Sequence, residues 1–335
     1  MMGPSWPSEQ FYSQGYSWHT RAAYGVKARL GTMRLAATIQ SIQERLKEDK
    51  ALIKLKMGIP SVESSCLAVL ALRRDPEFEE VVHNVLALQN RDGSWPAIAA
   101  DKPHGCWVTA LAILCLLATD NEVPRLHNAV RWLLGAKGKE AQWIWRWKFR
   151  MIDTAVRFDP AKYGWNWTSG ATSWVIPTAF SLIALQKVRR RSLFGGADLA
   201  ERVETGIAML FDRMCPGGGW NAGNGVAFGV PYAPYIDATA IALLALRGRE
   251  NEPATQDSLT WLANHLLSCP SPYSLAWGII ALAAYQQHNV ADDLLNLAAA
   301  SLSSLIEKNW PTDVCTLAVC ALALDAIAGD NVFEV

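Results

Sequence analysis

No apolar stretch in this chain runs unbroken for the roughly 18 to 20 residues that a bilayer-spanning helix needs, so a membrane-embedded protein is not expected. Net charge is missing as well. The 31 basic and 31 acidic residues cancel, which removes the long-range field that draws a whole protein to nucleic acid. Any charged partner must be met locally, and no nucleic-acid partner is expected. Paired cysteine motifs are absent too. The seven cysteines are an odd set with no CxxC pair, and most sit inside apolar helical runs, which reads as small hydrophobes in a reducing, cytoplasmic setting. The segment Met1-Met2-Gly3-Pro4-Ser5-Trp6 lacks the charged-then-apolar layout of a secretion signal. P-loop, GxGxxG, HExxH and GxSxG segments do not occur, so the chemistry those motifs carry is not expected, and the expectation is of no cofactor.

What the sequence has in excess is apolar material and tryptophan. Hydrophobic residues make up 51% of 335 residues and charged residues 19%, which is ample for a packed core and argues against disorder. Fifteen tryptophans supply large apolar faces, each with one N–H, suited to wedges between repeats or to the wall of an aromatic pocket.

A repeat organises this material. A Thr or Ser followed by an Ala/Leu-rich run recurs, with variants, in six copies: Ser65–Leu72, Thr109–Leu116, Thr178–Leu185, Thr239–Leu246, Leu275–Leu282 and Cys315–Leu322. Each run is apolar all round with small residues interleaved, the mark of a helix buried on every side and closely packed. Between them lie helices with one apolar stripe, near 35–46, after Asp75-Pro76, and near Leu126–Leu134, Leu199–Phe211, Leu259–Leu267 and Leu294–Leu305. The arrangement that buries the first set with the second is an inner ring enclosed by an outer ring; an open superhelical solenoid is the rival. Residues 1–34 read as an N-terminal arm, and 35–335 as a single domain with an aromatic and basic insertion at about 138–164.

One segment makes the pattern specific. Gln89-Asn90-Arg91-Asp92-Gly93-Ser94-Trp95 fits QxxxGxW, Cys215–Asn221 is a version without the Gln, and Gly164-Trp165-Asn166-Trp167 and Asn309-Trp310-Pro311 are weaker relatives. On these residues the chain resembles the terpenoid cyclase and protein prenyltransferase α/α toroids over roughly residues 35–328. The resemblance implies an all-α fold, a single α/α toroid of about six helical hairpins. The Trp residues of these turns read as staples, with Gln tying a helix end and Gly letting Trp stack across the turn.

In the resembling families the inner helices begin at the mouth of a central cavity. Two positions before each Thr/Ser mark the six repeats read Glu63, Trp107, Ile176, Asp237, Tyr273 and Asp313. For any one acid in that place, capping of free N–H groups is the simpler role. The segment Tyr235-Ile236-Asp237-Ala238-Thr239-Ala240 resembles the DxDDTA pattern of squalene-hopene-type cyclases, whose middle Asp is the proton donor. Only that middle Asp is present here, with Tyr235 and Ala238 at the flanking positions. The resemblance makes Asp237 the candidate donor and Asp313 and Glu63 candidates to resupply its proton. Trp107, Trp174, Tyr235, Tyr273 and Trp277 fall on or beside inner-helix starts, where aromatic faces stabilise carbocations or simply pack helices. In the insertion, Arg146 and Arg150 among Trp143, Trp145 and Trp147 suit a diphosphate clamp or a membrane-surface helix; a solvated extra helix is the plainer reading. The Gly-rich stretch Gly217–Pro234 suits a lid or mouth.

The leading expectation is an isoprenoid-handling enzyme acting on an isoprenoid or prenyl diphosphate, related to class II terpenoid cyclases. Because squalene-hopene-type enzymes resemble a pair of such domains, a partner chain or homodimer, or a shallower cavity for a shorter isoprenoid, would reconcile a single ring with that chemistry. Peripheral membrane contact through the insertion goes with it. A non-catalytic lipid carrier or interaction scaffold is a second class. A prenyltransferase subunit is a third, for which Asp313-Val314-Cys315 offers half of a zinc site while no His stands at an equivalent place in another repeat; no metal is expected.

Overall fold

The computed structural model describes residues 37–38, 40–46, 61–75, 79–101, 104–119, 123–152, 158–286, 292–308, 311 and 313–335. The N-terminal arm, Pro76, Arg157 and Trp310 lie outside them. Residues 40–46 are helical, with Ile42 and Leu46 in the core. The helices that follow are α1 (Val62–Ala71), α2 (Glu79–Ala87), α3 (Val108–Ala118), α4 (Val123–Gly135), α5 (Trp143–Met151), α6 (Val175–Arg190), α7 (Ala197–Asp212), α8 (Ile236–Ala245), α9 (Pro253–Leu266), α10 (Pro272–Ala284), α11 (Asp292–Lys308) and α12 (Val314–Ile327). Two short antiparallel strands, β1 (Val226–Ala227) and β2 (Val230–Pro231), form a hairpin before α8.

The apolar runs become α1, α3, α6, α8, α10 and α12. Because small and aliphatic residues occupy all faces, α3, α8 and α12 are buried almost end to end. Each of the six packs on the next in chain order, and α12 packs back on α1. That last contact closes the ring and rules out the open solenoid. The striped helices α2, α4, α7, α9 and α11 lie outside, each against the inner helix that follows it or the one before it. The protein is an all-α toroid.

The Thr marks and the Trp turns belong to one device. The backbone N–H groups of Trp95, Trp165 and Trp220 each donate to the hydroxyl of Thr109, Thr178 and Thr239, all at 2.9 Å. Their indole N–H groups donate to carbonyls of the preceding outer helix, Val85, Leu133 and Leu210, at 2.6 to 2.7 Å. Each Trp therefore ties an outer helix end to the next inner helix start. Gln89 reaches Gly93 O and Arg125 O, joining its turn to the next outer helix. Gly93 is required where it stands: its φ is +95°, and a Cβ would strike the Asn128 carbonyl of α4.

Burial of a cation also serves this layer. Arg202 on α7 stacks 3.4 Å from the Trp165 ring and donates to Gly164 O and Ala136 O at 2.7 and 3.0 Å. Burial lowers its pKa to about 9.

Candidate functional site

Outer and inner helices alternate in direction, so every outer-to-inner connection emerges at the same end of the ring. The first turns of the six inner helices circle that mouth. Glu63, Asp237 and Tyr273 are half-buried in the first turns of α1, α8 and α10. Trp107 and Asp313 occupy the N-cap positions of α3 and α12.

The acids of this rim differ. Asp313 is exposed and accepts from Thr316 N at 2.8 Å, so its carboxylate caps α12. Glu63 and Asp237 meet no hydrogen-bond donor among the described residues. Burial, and then the Asp313 charge, push the Glu63 carboxyl above the ordinary carboxylate range. Burial raises the Tyr273 phenol, next the Glu63 charge, with Asp237 adding a smaller push. Tyr273 thus lies in the fields of both acids. Cys315, 3.1 Å from Ser64 Oγ, is pushed to about 12 by burial and by Glu63. Among the described residues no three His, Cys, Asp or Glu side chains gather as a metal-ligand set.

Beneath the rim the ring is filled by aromatic rings. Phe180 on α6 lies 5.6 Å from Trp277 on α10. These helices are not neighbours, since α8 stands between them, so the two side chains meet across the lumen. Phe333, from the segment after α12, sits 5.0 Å from Trp277 and 6.2 Å from Phe180 and is fully buried. Trp107 touches Phe180 at 5.7 Å and Trp167 at 5.1 Å, and Tyr273 stands edge-on to Trp277 at 6.3 Å. The Trp277 N–H lies near enough to the Tyr273 hydroxyl to favour its ionised form slightly but falls outside hydrogen-bond geometry.

The last residues hold Phe333 from below. Arg73, just past α1, pairs with Asp325 at 3.3 Å and with Asp330. Asn331 donates to Ile280 O at 2.9 Å, and Lys187 donates to Glu334 O at 2.6 Å. All of these anchors lie towards the C-terminal ends of inner helices, opposite the mouth. The C-terminal segment is therefore the bottom of the lumen, with Phe180, Trp277 and Phe333 as an aromatic floor under an acidic rim. At 1.5 Å per residue along a helix, the floor lies only one to two turns below the rim acids.

The other expected site residues disperse. Trp174 is half-buried at the N-cap of α6 and packs against the loop at Gly223. Tyr235 is 56% exposed and donates its backbone N–H to Trp220 O. Arg146 reaches Ala141 O at 3.3 Å and Arg150 pairs with Asp159 at 3.8 Å, so both are engaged within the insertion and neither contacts the rim acids among the described residues. Phe180 and Phe333 were not anticipated. Phe180 was legible as the one aromatic in an inner run of small and aliphatic residues; Phe333, beyond the last repeat, carried no periodic signal. A groove of about 560 Å3 on the outer wall, between α4 and α7, is separate from this lumen, and its lining mixes Arg131, Lys137 and Arg202 with Asp198 and Glu201.

No protein-family model matches the chain, and no curated protein does. Solved structures do. Type II terpene cyclase MstE from Scytonema, in a variant complexed with its product merosterolic acid A, is similar with a TM-score of 0.55 and 14% identity, over 90% of this chain and 99% of that one. An apo variant of the same cyclase matches equally. A protein from Actinoplanes is similar with a TM-score of 0.55 and 15% identity, over 87% of this chain and 99% of that one. At such identity these likenesses establish the toroid fold.

Proposed function

We propose that this ring is a single-domain class II terpene cyclase-like enzyme that takes an isoprenoid chain into the lumen mouth and starts carbocation cyclisation by protonating an alkene. The observation that carries the reading is the pairing of unengaged, half-buried acids, Glu63 and Asp237, with an aromatic lumen directly beneath them. Protonating an alkene needs a carboxylic acid that stays neutral in apolar surroundings. Asp237 takes the donor role, in the place the cyclase-like segment gives it. Its O–H bond breaks as a C–H bond forms, leaving a carboxylate and a carbocation. Glu63, which its surroundings keep protonated more than an ordinary glutamate, is the acid to resupply the proton. Trp107 and Tyr273, half-buried at the rim, offer ring faces to the migrating positive charge, backed by the buried rings of Phe180 and Trp277. Asp313 serves as a cap, and its charge adds to the upward push that burial gives the Glu63 carboxyl.

The match of this one toroid to 99% of the similar cyclase's chain supports reading a single ring as the scaffold. The shallow floor suits a shorter isoprenoid segment than a deep channel between two domains.

The test is turnover of a panel of linear isoprenoids, as free alcohols and as diphosphates, by the full chain and by Asp237→Asn and Glu63→Gln. Loss of about a hundredfold or more in Asp237→Asn, with the prenyl chain still bound, is the expected result. Turnover that both variants retain would sink the assignment of the acids. Binding of prenyl chains with no turnover by the native protein would make the ring a carrier.

A further inference from the structure

Among the described residues eleven large hydrophobic side chains are exposed, and nine of them lie on two segments. The first is α5, where Trp143 (80% exposed), Ile144, Trp147 and Met151 form one outward stripe at spacings of about one helical turn, continued by Ile152. Trp145 and Phe149 face the other way: Phe149 packs on Phe158 at 5.0 Å, and Lys139 and Lys148 sit over Trp145 at 4.4 and 4.9 Å. The helix is thus laid against the protein with its apolar side to solvent. The second segment is the β1–β2 hairpin and the residues after it, with Phe228 (74% exposed), Val230, Tyr232 and Tyr235.

Topology brings the two together. Both interrupt an outer-to-inner connection, α4 to α6 and α7 to α8, so both stand at the mouth end of the ring, above neighbouring inner helices. Local contacts tie the flanking segments: Asp159 N donates to Asp212 Oδ2 at 3.0 Å at the end of α7, and Val175 N at the start of α6 donates to Ala222 O at 3.1 Å in the loop that leads to the hairpin. Charge follows the apolar stripe. The nine residues of α5 hold Arg146, Lys148 and Arg150 and no acid, and Lys137 and Lys139 precede it. Of the rim acids, Asp313 on α12 and Glu63 on α1 lie across the ring from α6 and α8, while Asp237 is half-buried in the first turn of α8. Exposed Trp and Tyr interleaved with cations match the headgroup zone of a bilayer, where amphipathic rings and basic side chains both gain. A water-facing helix has no such reason to turn its Trp residues outward.

We propose that α5 and the β1–β2 hairpin form one docking surface for an anionic lipid bilayer, which sets the ring mouth against the membrane. The docking stands on these exposed residues alone. Only its consequence, that an apolar substrate passes from the bilayer into the lumen without crossing water, rests on the proposed isoprenoid chemistry.

Co-sedimentation of the full chain with phosphatidylcholine vesicles, with and without phosphatidylglycerol, tests the surface separately from any turnover. Binding that requires the anionic lipid and weakens with added salt is expected. Trp143→Ser/Trp147→Ser and Phe228→Ser/Tyr232→Ser should each lower vesicle affinity about tenfold or more while the helical circular dichroism and melting temperature stay unchanged, since these side chains support no core. Lys148→Glu/Arg150→Glu should abolish the preference for phosphatidylglycerol. No binding by the native chain, or binding that all three double variants retain, would overturn the proposal. So would a dimer in sedimentation equilibrium that the same substitutions dissolve, because the face would then belong to a second copy.

Discussion

The Trp165 backbone N–H and the Thr178 hydroxyl stand 2.9 Å apart, and that hydroxyl also reaches back to the Trp165 carbonyl at 3.3 Å. The same exchange joins Trp220 and Thr239. A buried hydroxyl that both accepts and donates locks the turn between two rings of helices, so the Thr mark of the repeat is structural in origin.

Thr178→Val keeps the shape and removes both bonds. Leaving the buried Trp165 N–H without an acceptor is expected to cost about 1–3 kcal/mol of stability, read as a lower denaturant midpoint at unchanged m-value. Thr178→Ser, which keeps the hydroxyl, should recover most of it. Equal midpoints for native protein and Thr178→Val would mean that the turn is held by the indole contact alone.

Phe333 fills the lumen from a segment that no repeat includes. Phe333→Ala should destabilise the ring by about 3–5 kcal/mol, as for other buried aromatic truncations, and should open space beside Trp277 and Phe180. Tryptophan fluorescence and the binding of a bulkier or longer prenyl chain report that space. A variant with native stability and an unchanged preference for chain length would show that Phe333 is not the floor.

Glu63 gives a pH signature. Its carboxyl is raised above 4.5 in the folded chain by burial and then by Asp313. Between the ordinary and the raised value the folded chain keeps a proton that the unfolded chain has lost, so this contribution to stability is full below 4.5 and declines as pH rises through the folded value. Glu63→Gln removes that decline. Melting temperatures should coincide near pH 4 and favour the variant at pH 7. A variant less stable at pH 7 would show that the ionised Glu63 is itself stabilised in the fold.

Much of the architecture was readable from local pattern. Runs such as Thr239–Leu246, apolar on every face, have no stable place except between other helices, and their alternation with striped helices selects nested rings. Trp95, Trp165 and Trp220 were recognisable as staples because each stands in a glycine-containing turn ahead of a Thr mark, 14, 13 and 19 residues before it. The rim positions of Glu63, Asp237 and Tyr273 followed from the same register. What each does there did not. The sequence spacing sets Asp313 level with Glu63, yet Asp313 is the N-cap of α12, the place Ser61 holds in α1, so it is exposed and bonded to Thr316 N while Glu63 is half-buried in the first turn. Desolvation depends on what neighbouring helices bring, and no periodicity encodes that.

The sequence by itself determined the repeat and the inner and outer identity of the helices, because these rest on side-chain spacing within a few turns of one helix. Only the tertiary structure decided that α12 meets α1, that Phe180 and Trp277 touch across the lumen with Phe333 beneath them, and that the insertion turns Trp143 and Trp147 outward. Those outcomes join residues far apart in the chain, and they are fixed by ring closure, which sets what space remains inside and which faces are left for solvent.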